Sequence, residues 1–365
     1  MKSWRIKTAI DERLLLAYLL VLTAGLIGVY SASSILADSR FGSHWYFLRQ
    51  QALWAALSVL CVWVINRLDL QRLAVYTVPA LFITFVLLCV VFLMPTRNGS
   101  HRWLFVGPFT LQPSELFKFL VIYYLAFSLA NPKRNLSRWQ QLVFPYAPIV
   151  GVGMLLMILE PDLGAVVVMI LSVVGMFFAA GARLKHLALA VVPPALLGSL
   201  VVFVIGYKRE RVLDYLAAIS DPLHGSYQVK QAVLTFGSGG LFGTGLGDGR
   251  QKLFFLPYPH TDFILATIGE EIGFIGLIVV LGVMFYMLWR GCRIALQQPD
   301  RFGFLLAAGM TWSLFVNIAV NIGVVTAILP VTGRALPFLS YGGSSLLMSS
   351  AAIGVLINLS RRVVK

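Results

Sequence analysis

Long apolar runs alternate with short polar breaks along almost the whole chain. Each run is close to the about 20 residues needed to cross a hydrocarbon core as a helix. The pattern predicts an all-α polytopic membrane protein with about ten transmembrane helices. They fall near 13–34, 46–66, 72–94, 112–130, 142–160, 163–180, 184–206, 262–290, 303–329 and 339–360. The fifth and sixth are parted only by Glu160-Pro161-Asp162-Leu163-Gly164, where a proline and two carboxylates call for a turn. No internal repeat is evident, so residues 1–365 read as a single membrane domain.

The stretch from Tyr207 to Asp262, between the seventh and eighth runs, breaks this pattern. It reads as a long loop without regular structure of its own, a kind of segment that is usually functional or disordered. It opens on Lys208-Arg209-Glu210-Arg211 and carries Tyr227-Gln228. The run Gly237-Ser238-Gly239-Gly240 follows, then Gly243, Gly245, Gly247 and Gly249. It closes on Leu256-Pro257-Tyr258-Pro259-His260-Thr261-Asp262. Its aromatics and leucines set it apart from a disordered linker.

Composition narrows the class. Of the 365 residues, 59% are hydrophobic and 12% charged, with a mean hydropathy of +0.84. A soluble domain carries about 25% charged residues. The net charge of +14 does not indicate nucleic acid, because the cations sit in short breaks between apolar runs. Cys61, Cys89 and Cys292 lie in or beside apolar runs, with no disulfide framework or metal-ligand spacing. No cleavable signal peptide is expected, since the first apolar run is full length and no small-residue cleavage site follows it.

Cations in short breaks also orient the chain. Lys2, Arg5, Lys7 and Arg13, Arg67 and Arg72, Lys133, Arg134 and Arg138, Arg183 and Lys185, Arg290, Arg293 and Arg301, and Arg361, Arg362 and Lys365 all fall on one side. That side, with both termini, is expected to be cytoplasmic. The loop 207–262 and the breaks around 95–111, 160–163 and 330–338 are expected outside.

Ionisable residues near membrane depth are costly and point to function. Gln112-Pro113-Ser114-Glu115-Leu116-Phe117-Lys118 opens the fourth helix, with proline suited to its first turn. Glu115 and Lys118, three apart, share a face and can pair. The pair reads equally as structural packing or as the charged floor of a cavity. Arg102 fits an interfacial, snorkelling role better than a ligand contact. Asp162 fits a helix N-cap. Glu270 and Glu271 are adjacent inside the eighth run, so at least one is expected to make an internal polar contact. Asn317 and Asn321, four apart, suit interhelical hydrogen bonds. The run Leu329-Pro330-Val331-Thr332-Gly333-Arg334-Ala335-Leu336-Pro337-Phe338-Leu339 makes a rigid outer turn. Ser340, Gly342, Gly343, Ser344 and Ser345 follow near a helix start, which suits either a phosphate or close packing.

His260-Thr261-Asp262-Phe263-Ile264 ahead of Gly269-Glu270-Glu271-Ile272-Gly273 resembles the signature of the SEDS family, the FtsW, RodA and SpoVE group. Gln112-Pro113-Ser114-Glu115, Glu160-Pro161-Asp162-Leu163-Gly164, Tyr227-Gln228 and Ser340-Tyr341-Gly342-Gly343-Ser344-Ser345 resemble its other marks, in order, over almost the whole chain. The resemblance implies a ten-helix peptidoglycan glycosyltransferase of the bacterial inner membrane that serves cell division or wall growth. It implies polymerisation of lipid II, the undecaprenyl-pyrophosphate-linked disaccharide pentapeptide, outside the membrane. The implied partners are a class B penicillin-binding protein, supplying the transpeptidase, and other divisome or elongasome membrane proteins. Asp262 matches the family's essential aspartate, and Glu115 and Lys118 its helix-four acid and base. Leu329-Pro330-Val331-Thr332-Gly333 and Leu336-Pro337-Phe338-Leu339-Ser340 lean toward FtsW, the division member. The chain departs in one place. Where the family commonly reads Leu-Pro-Glu, Tyr258 follows Leu256-Pro257, so no glutamate there takes part.

Joining a sugar hydroxyl to a pyrophosphate-linked donor needs a base for the hydroxyl proton and cations to steady the departing pyrophosphate. Asp262 is the expected base, in a single inverting displacement without a carboxylate nucleophile. Lys118, Arg102, Arg211 and Lys252 are the pyrophosphate candidates. His260 would orient Asp262 or the acceptor. Glu115, Gln112, Ser114, Asp162, Gln228, Ser340, Gly342, Gly343 and Ser344 complete the expected substrate-binding set. No cofactor or metal ligand is assigned, and Mg2+ or Mn2+ is the divalent cation this chemistry could use. The alternatives are a flippase of lipid-linked precursors, which lacks its mark of paired broken helices here, and a non-catalytic scaffold for a penicillin-binding protein.

Overall fold

The computed structural model describes residues 10–96, 100–107, 109–133, 140, 144, 146–204, 206, 209–220, 226–249 and 255–362. Among these, thirteen α-helices and one hairpin follow in order. They are α1 (Glu12–Phe41), α2 (Tyr46–Ile65), α3 (Leu70–Ala74) and α4 (Thr77–Val90), the hairpin β1 (Leu104–Val106) and β2 (Phe109–Leu111), then α5 (Pro113–Leu129), α6 (Ala147–Leu159), α7 (Leu163–Ala179) and α8 (Leu184–Phe203). The last five are α9 (Arg209–Ser220), α10 (Tyr227–Gly239), α11 (Ile264–Leu296), α12 (Arg301–Val325) and α13 (Gly343–Ser360). By length and composition α1, α2, α11, α12 and α13 can cross a membrane, and α4, α6 and α7 are shorter apolar helices. The chain is a multi-pass membrane protein.

Local chemistry sets many helix ends. Asp11, Asp162 and Asp300 are N-caps whose carboxylates accept from Leu14 N, Ala165 N and Gly303 N at 3.0, 3.1 and 3.0 Å. Pro113 occupies the first turn of α5, where its missing N–H has no helical partner to lose. Gly42 ends α1 in the left-handed region, at φ 66°. The core is a bundle in which α13, the most enclosed span, packs on α2 and α12, and α11 lies between α1 and α12.

The two ends of the bundle differ. At one end Asp11 pairs with Arg290 and donates its N–H to Ser360 Oγ. Asn358 Nδ2 donates to Ile65 O and Leu68 O there, both at 2.8 Å. At the other end the breaks carrying Arg102, Asp162, Asp262 and Arg334 converge. Residues of the four breaks thus meet at one end of the bundle.

Four expectations need correction. The stretch 207–262 is not one irregular loop, because α9 and α10 lie within it. Val212, Leu213 and Leu216 in α9 and Val229, Ala232 and Val233 in α10 recur at helical spacing, a short signal beside the long apolar runs. The third expected span divides into α3 and α4 across Val75 and Tyr76. The third correction is to span ends, since the eighth runs past residue 290 to Leu296 and the tenth starts at Gly343 rather than 339.

The fourth correction is that α11 is not one continuous rod. Gly273 stands inside it at φ 70°, ψ −177°. Nine residues at 1.5 Å each put this break about 14 Å below Ile264. Broken backbone at such depth must find partners inside the protein. Residues after α10 supply them. Thr244 N and Gly245 N donate to Glu270 O and Glu271 O at 2.9 and 3.1 Å, while Phe274 N and Ile275 N donate to Gly240 O and Leu241 O at 3.0 and 3.2 Å. Side chains at this contact would block it, since a Cβ added to Gly243 or Gly273 would overlap the facing backbone. The segment 240–245 thus covers the break from the surface of the bundle, with Leu241 and Phe242 exposed.

Candidate active site

Five charged side chains form one network where α5, α7, the hairpin and the 330–338 turn meet. Lys118 Nζ donates to Glu115 Oε1 at 2.9 Å, the three-residue pairing expected on the face of α5. Arg334 donates to the same carboxylate from its other side. Arg334 Nη1 also reaches Asp162 Oδ2 at 3.4 Å, and Arg102 Nη1 lies 3.8 Å from Asp162 Oδ1. Lys118, Glu115, Asp162 and Arg334 are all buried, at 4%, 7%, 1% and 6% exposure. Charges this deep persist only when paired and hydrogen-bonded. Burial alone would pull the Arg334 guanidinium down, but Glu115, Asp162 and Asp262 outweigh it and hold it above its ordinary value. Three cations face two carboxylates, so the network keeps one positive charge over and suits an anion.

Asp262 sits beside this network, in the turn before α11, partly exposed. A Cβ built on Gly333 would lie 3.6 Å from Asp262 Oδ2, so the turn preceding Arg334 passes close to that carboxylate. Asn321, on α12, donates from Nδ2 to Asp262 O at 3.0 Å and to Arg334 O at 2.7 Å. Ser340 Oγ donates to Thr261 O at 2.6 Å, and Tyr341 N to His260 O at 2.9 Å.

The expected substrate-binding residues take varied places. Gln112 Nε2 donates to Asp162 Oδ2 at 3.0 Å, and Gln112 N to Ser344 Oγ at 2.9 Å. Ser344 Oγ donates in turn to Thr110 O at 3.1 Å, which seats the hairpin on α13. Ser114 is buried, its Oγ without a hydrogen-bond partner among the described residues. Arg102 is not a free snorkelling arginine, because it also donates to Glu160 O and Pro161 O and braces that turn. Gln51 binds Ser340 O and Gly342 N, and Trp54 lies where a Cβ on Gly343 would be. The start of α13 is therefore filled by protein side chains. Gln228 is part-buried in the first turn of α10, and no described hydrogen bond or ion pair joins it to the network. Lys252 and the side chain of Arg211 lie outside the described residues.

His260 is buried between aromatic rings, 4.7 Å from Phe47 and 5.7 Å from Tyr341 by ring centroids. Burial, helped by Arg40, pulls its imidazole down to about 4. Glu160, in the α6–α7 turn, is fully enclosed, and both its oxygens lack hydrogen-bond partners among the described residues. Desolvation, with Asp162 nearby, pushes its carboxyl up to about 8 against the opposing charge of Arg102.

Sequence reasoning missed Arg334 and Gln51, and it gave Asn321 only an interhelical role. A lone arginine among Thr332, Gly333, Ala335 and Leu336 was the available signal, since an ionisable group in such company needs a buried partner. Among the described residues, no group of three or more His, Cys, Asp or Glu side chains stands ready for a metal ion. Glu115 and Asp162 are moreover already engaged by Arg334.

The fold and site define a multi-pass membrane protein with a buried ionic network and a carboxylate at its rim, all at one end of a helical bundle. The family model described as cell cycle protein, FtsW/RodA/SpoVE, matches residues 12–365, and the chain belongs to that family. The stage V sporulation protein E of Bacillus subtilis (strain 168) is 41% identical over 363 residues, 97% of this chain and 98% of the relative. A probable peptidoglycan glycosyltransferase FtsW of Geobacter metallireducens is 40% identical over 342 residues, 93% of this chain and 91% of the relative. The chain is similar to the crystal structure of the Thermus thermophilus rod shape determining protein RodA, with TM-score 0.72, 27% identity and 97% of each chain covered. It is also similar to a chain from a peptidoglycan synthase complex that coordinates polymerization and crosslinking, with TM-score 0.80, 28% identity, and 97% of this chain and 98% of that one covered.

Proposed function

We propose that Asp262 is the general base with which this membrane glycosyltransferase joins lipid II units into glycan strands. The observation that carries the reading is the placement of a partly exposed carboxylate against a buried network with one positive charge over. Relatives about 40% identical over more than nine-tenths of their length, named peptidoglycan glycosyltransferase, support the reaction class. The acceptor hydroxyl gives its proton to Asp262 as its oxygen attacks the anomeric carbon of the donor. The bond from that carbon to the pyrophosphate breaks, and the pyrophosphate leaves with the electron pair. Lys118, Arg334 and Arg102 lower the cost of that charge, because they are fixed before reaction and shielded from water. Leaving pyrophosphate needs no strong general acid, so one carboxylate suffices. A Mg2+ or Mn2+ carried on the pyrophosphate would add to the neutralisation.

The site belongs outside the cytoplasmic membrane, with both termini inside, on the lysine and arginine bias of the short breaks. A penicillin-binding protein is the partner this reading calls for, in a division or elongation complex. The similarity to a chain of a peptidoglycan synthase complex supports it.

The decisive experiment is a polymerisation assay on purified protein with lipid II, with and without that partner. Asp262→Asn should abolish glycan synthesis while folding and partner binding persist. Near-wild-type activity of this variant ends the assignment. Lys230→Cys should react with an impermeant thiol reagent from outside and Gln297→Cys should not. Reversed labelling overturns the topology and favours a flippase.

A further inference from the structure

We propose that Asn321 is a positioning residue, whose amide fixes the carboxylate of Asp262 relative to the guanidinium of Arg334. This rests on the reading of Asp262 as base. The two residues come from different breaks in the chain. Asp262 lies in the turn ahead of α11, and Arg334 in the turn between α12 and α13. Neither segment has a helix or strand ladder of its own to set where it stands. A primary amide has two N–H groups, and Asn321 spends them on the two carbonyls of these very residues, at 3.0 and 2.7 Å. One nitrogen, 1% exposed with its residue, thus ties both backbones to the rigid α12.

The neighbouring turn of the same helix supplies a contrast. Asn317, four residues earlier, donates to Ser313 O of its own helix at 2.8 Å. That is what an asparagine does when it only satisfies itself. Asn321 forgoes that bond and reaches out to two loops. Its Oδ1 stays buried without a hydrogen-bond partner among the described residues, so donation is what this side chain contributes. The flanking ties do not replace it. Ser340 to Thr261 and Tyr341 to His260 hold residues before Asp262, and Leu336 N to Ser340 Oγ holds a residue beyond Arg334. Asn321 alone among these contacts joins residues 262 and 334 directly.

The consequence is kinetic. A base acts only within hydrogen-bond reach of its proton, and a misplacement of about 1 Å costs on the order of 100-fold in rate. The distance from Asp262 to Arg334 also sets how strongly the carboxylate is held ionised. Loosening the tie should therefore lower kcat and move the acidic limb of the pH–rate profile to higher pH, with KM for lipid II little changed. A residue that merely packed would shift stability without moving that limb.

The test uses the purified full chain with its partner and lipid II. Asn321→Leu keeps the number and branching of side-chain heavy atoms and removes both donors, and Asn321→Ser keeps a single hydroxyl. Asn317→Leu is the control, with Asp262→Asn run alongside. The expected result is a loss in kcat of about 100-fold for Asn321→Leu, a smaller loss for Asn321→Ser, the displaced acidic limb in both, and no change for Asn317→Leu. If Asn321→Leu does not accumulate in the membrane, Asn321→Ser decides alone. Wild-type kcat and pH profile in a folded Asn321 variant overturn the proposal, provided Asp262→Asn is inactive. An active Asp262→Asn overturns the base assignment instead.

Discussion

At the start of α5 buried side-chain charges pair with one another, while at the break in α11 backbone amides and carbonyls do so, beside the buried Glu270 and Glu271. Lys118, Arg334 and Arg102 meet Glu115 and Asp162 through five side chains from four separate segments. Around Gly273 four backbone hydrogen bonds from the 240–245 segment close a break with no side-chain charge involved. The first arrangement keeps charge in the protein and leaves one cation over, so it can meet an anion. The second pairs backbone donors with backbone acceptors and gives stiffness. Rigidity is useful there because the first piece of α11, residues 264–272, begins two residues after Asp262. Charge for chemistry and backbone for position are thus held apart within one end of the bundle.

Breaking the backbone seam should have the largest effect. Gly243 sits at φ +83° against Glu271 O, and alanine there would overlap that oxygen. The strained conformation and the lost hydrogen bonds together cost on the order of 5 kcal/mol. Gly243→Ala should fail to accumulate or should unfold well below wild type in detergent. A thermal midpoint within a few degrees of wild type would show that the seam is not structural.

Breaking the charge network should come next. Arg334→Met leaves Glu115 and Asp162 without their shared cation and should destabilise by about 3–5 kcal/mol, read from unfolding in detergent. Retained stability would mean that water or Lys118 already carries those carboxylates. Within the network, a double-mutant cycle on Glu115→Gln and Lys118→Met should show coupling of about 0.5–3 kcal/mol. Strict additivity would separate the pair.

The last effect is confined to a pH window. Glu160 is held neutral in the folded protein up to about 8, whereas an unfolded glutamate ionises near 4.3. A raised folded value contributes stability that is fully present below the unfolded value and is lost as pH rises through the folded one. Stability should therefore fall between about pH 4.3 and 8, and Glu160→Gln should flatten that slope. An unchanged slope in Glu160→Gln would mean the carboxyl is ionised throughout.

The apolar runs alone were enough to read a polytopic helical bundle. Each span meets lipid or other apolar side chains along most of its length, so the signal is local and additive. The Glu115–Lys118 pair was legible because three-residue spacing puts both on one helix face wherever the helix goes. Asp162 was legible as a cap for the same reason, since a cap binds its own helix. Asp262 was singled out by its place at the mouth of a span and by the motif around it. Arg334, Asn321 and the seam at Gly273 could not be read this way. Arg334 meets Glu115 and Asp162 from 219 and 172 residues away. Asn321 meets two breaks on either side of its own helix, and Gly273 is completed by a segment that looked like loop. Local hydrogen bonds and hydrophobic periodicity are written in neighbouring residues, whereas the partners of a buried charge or a broken helix exist only once distant segments have packed.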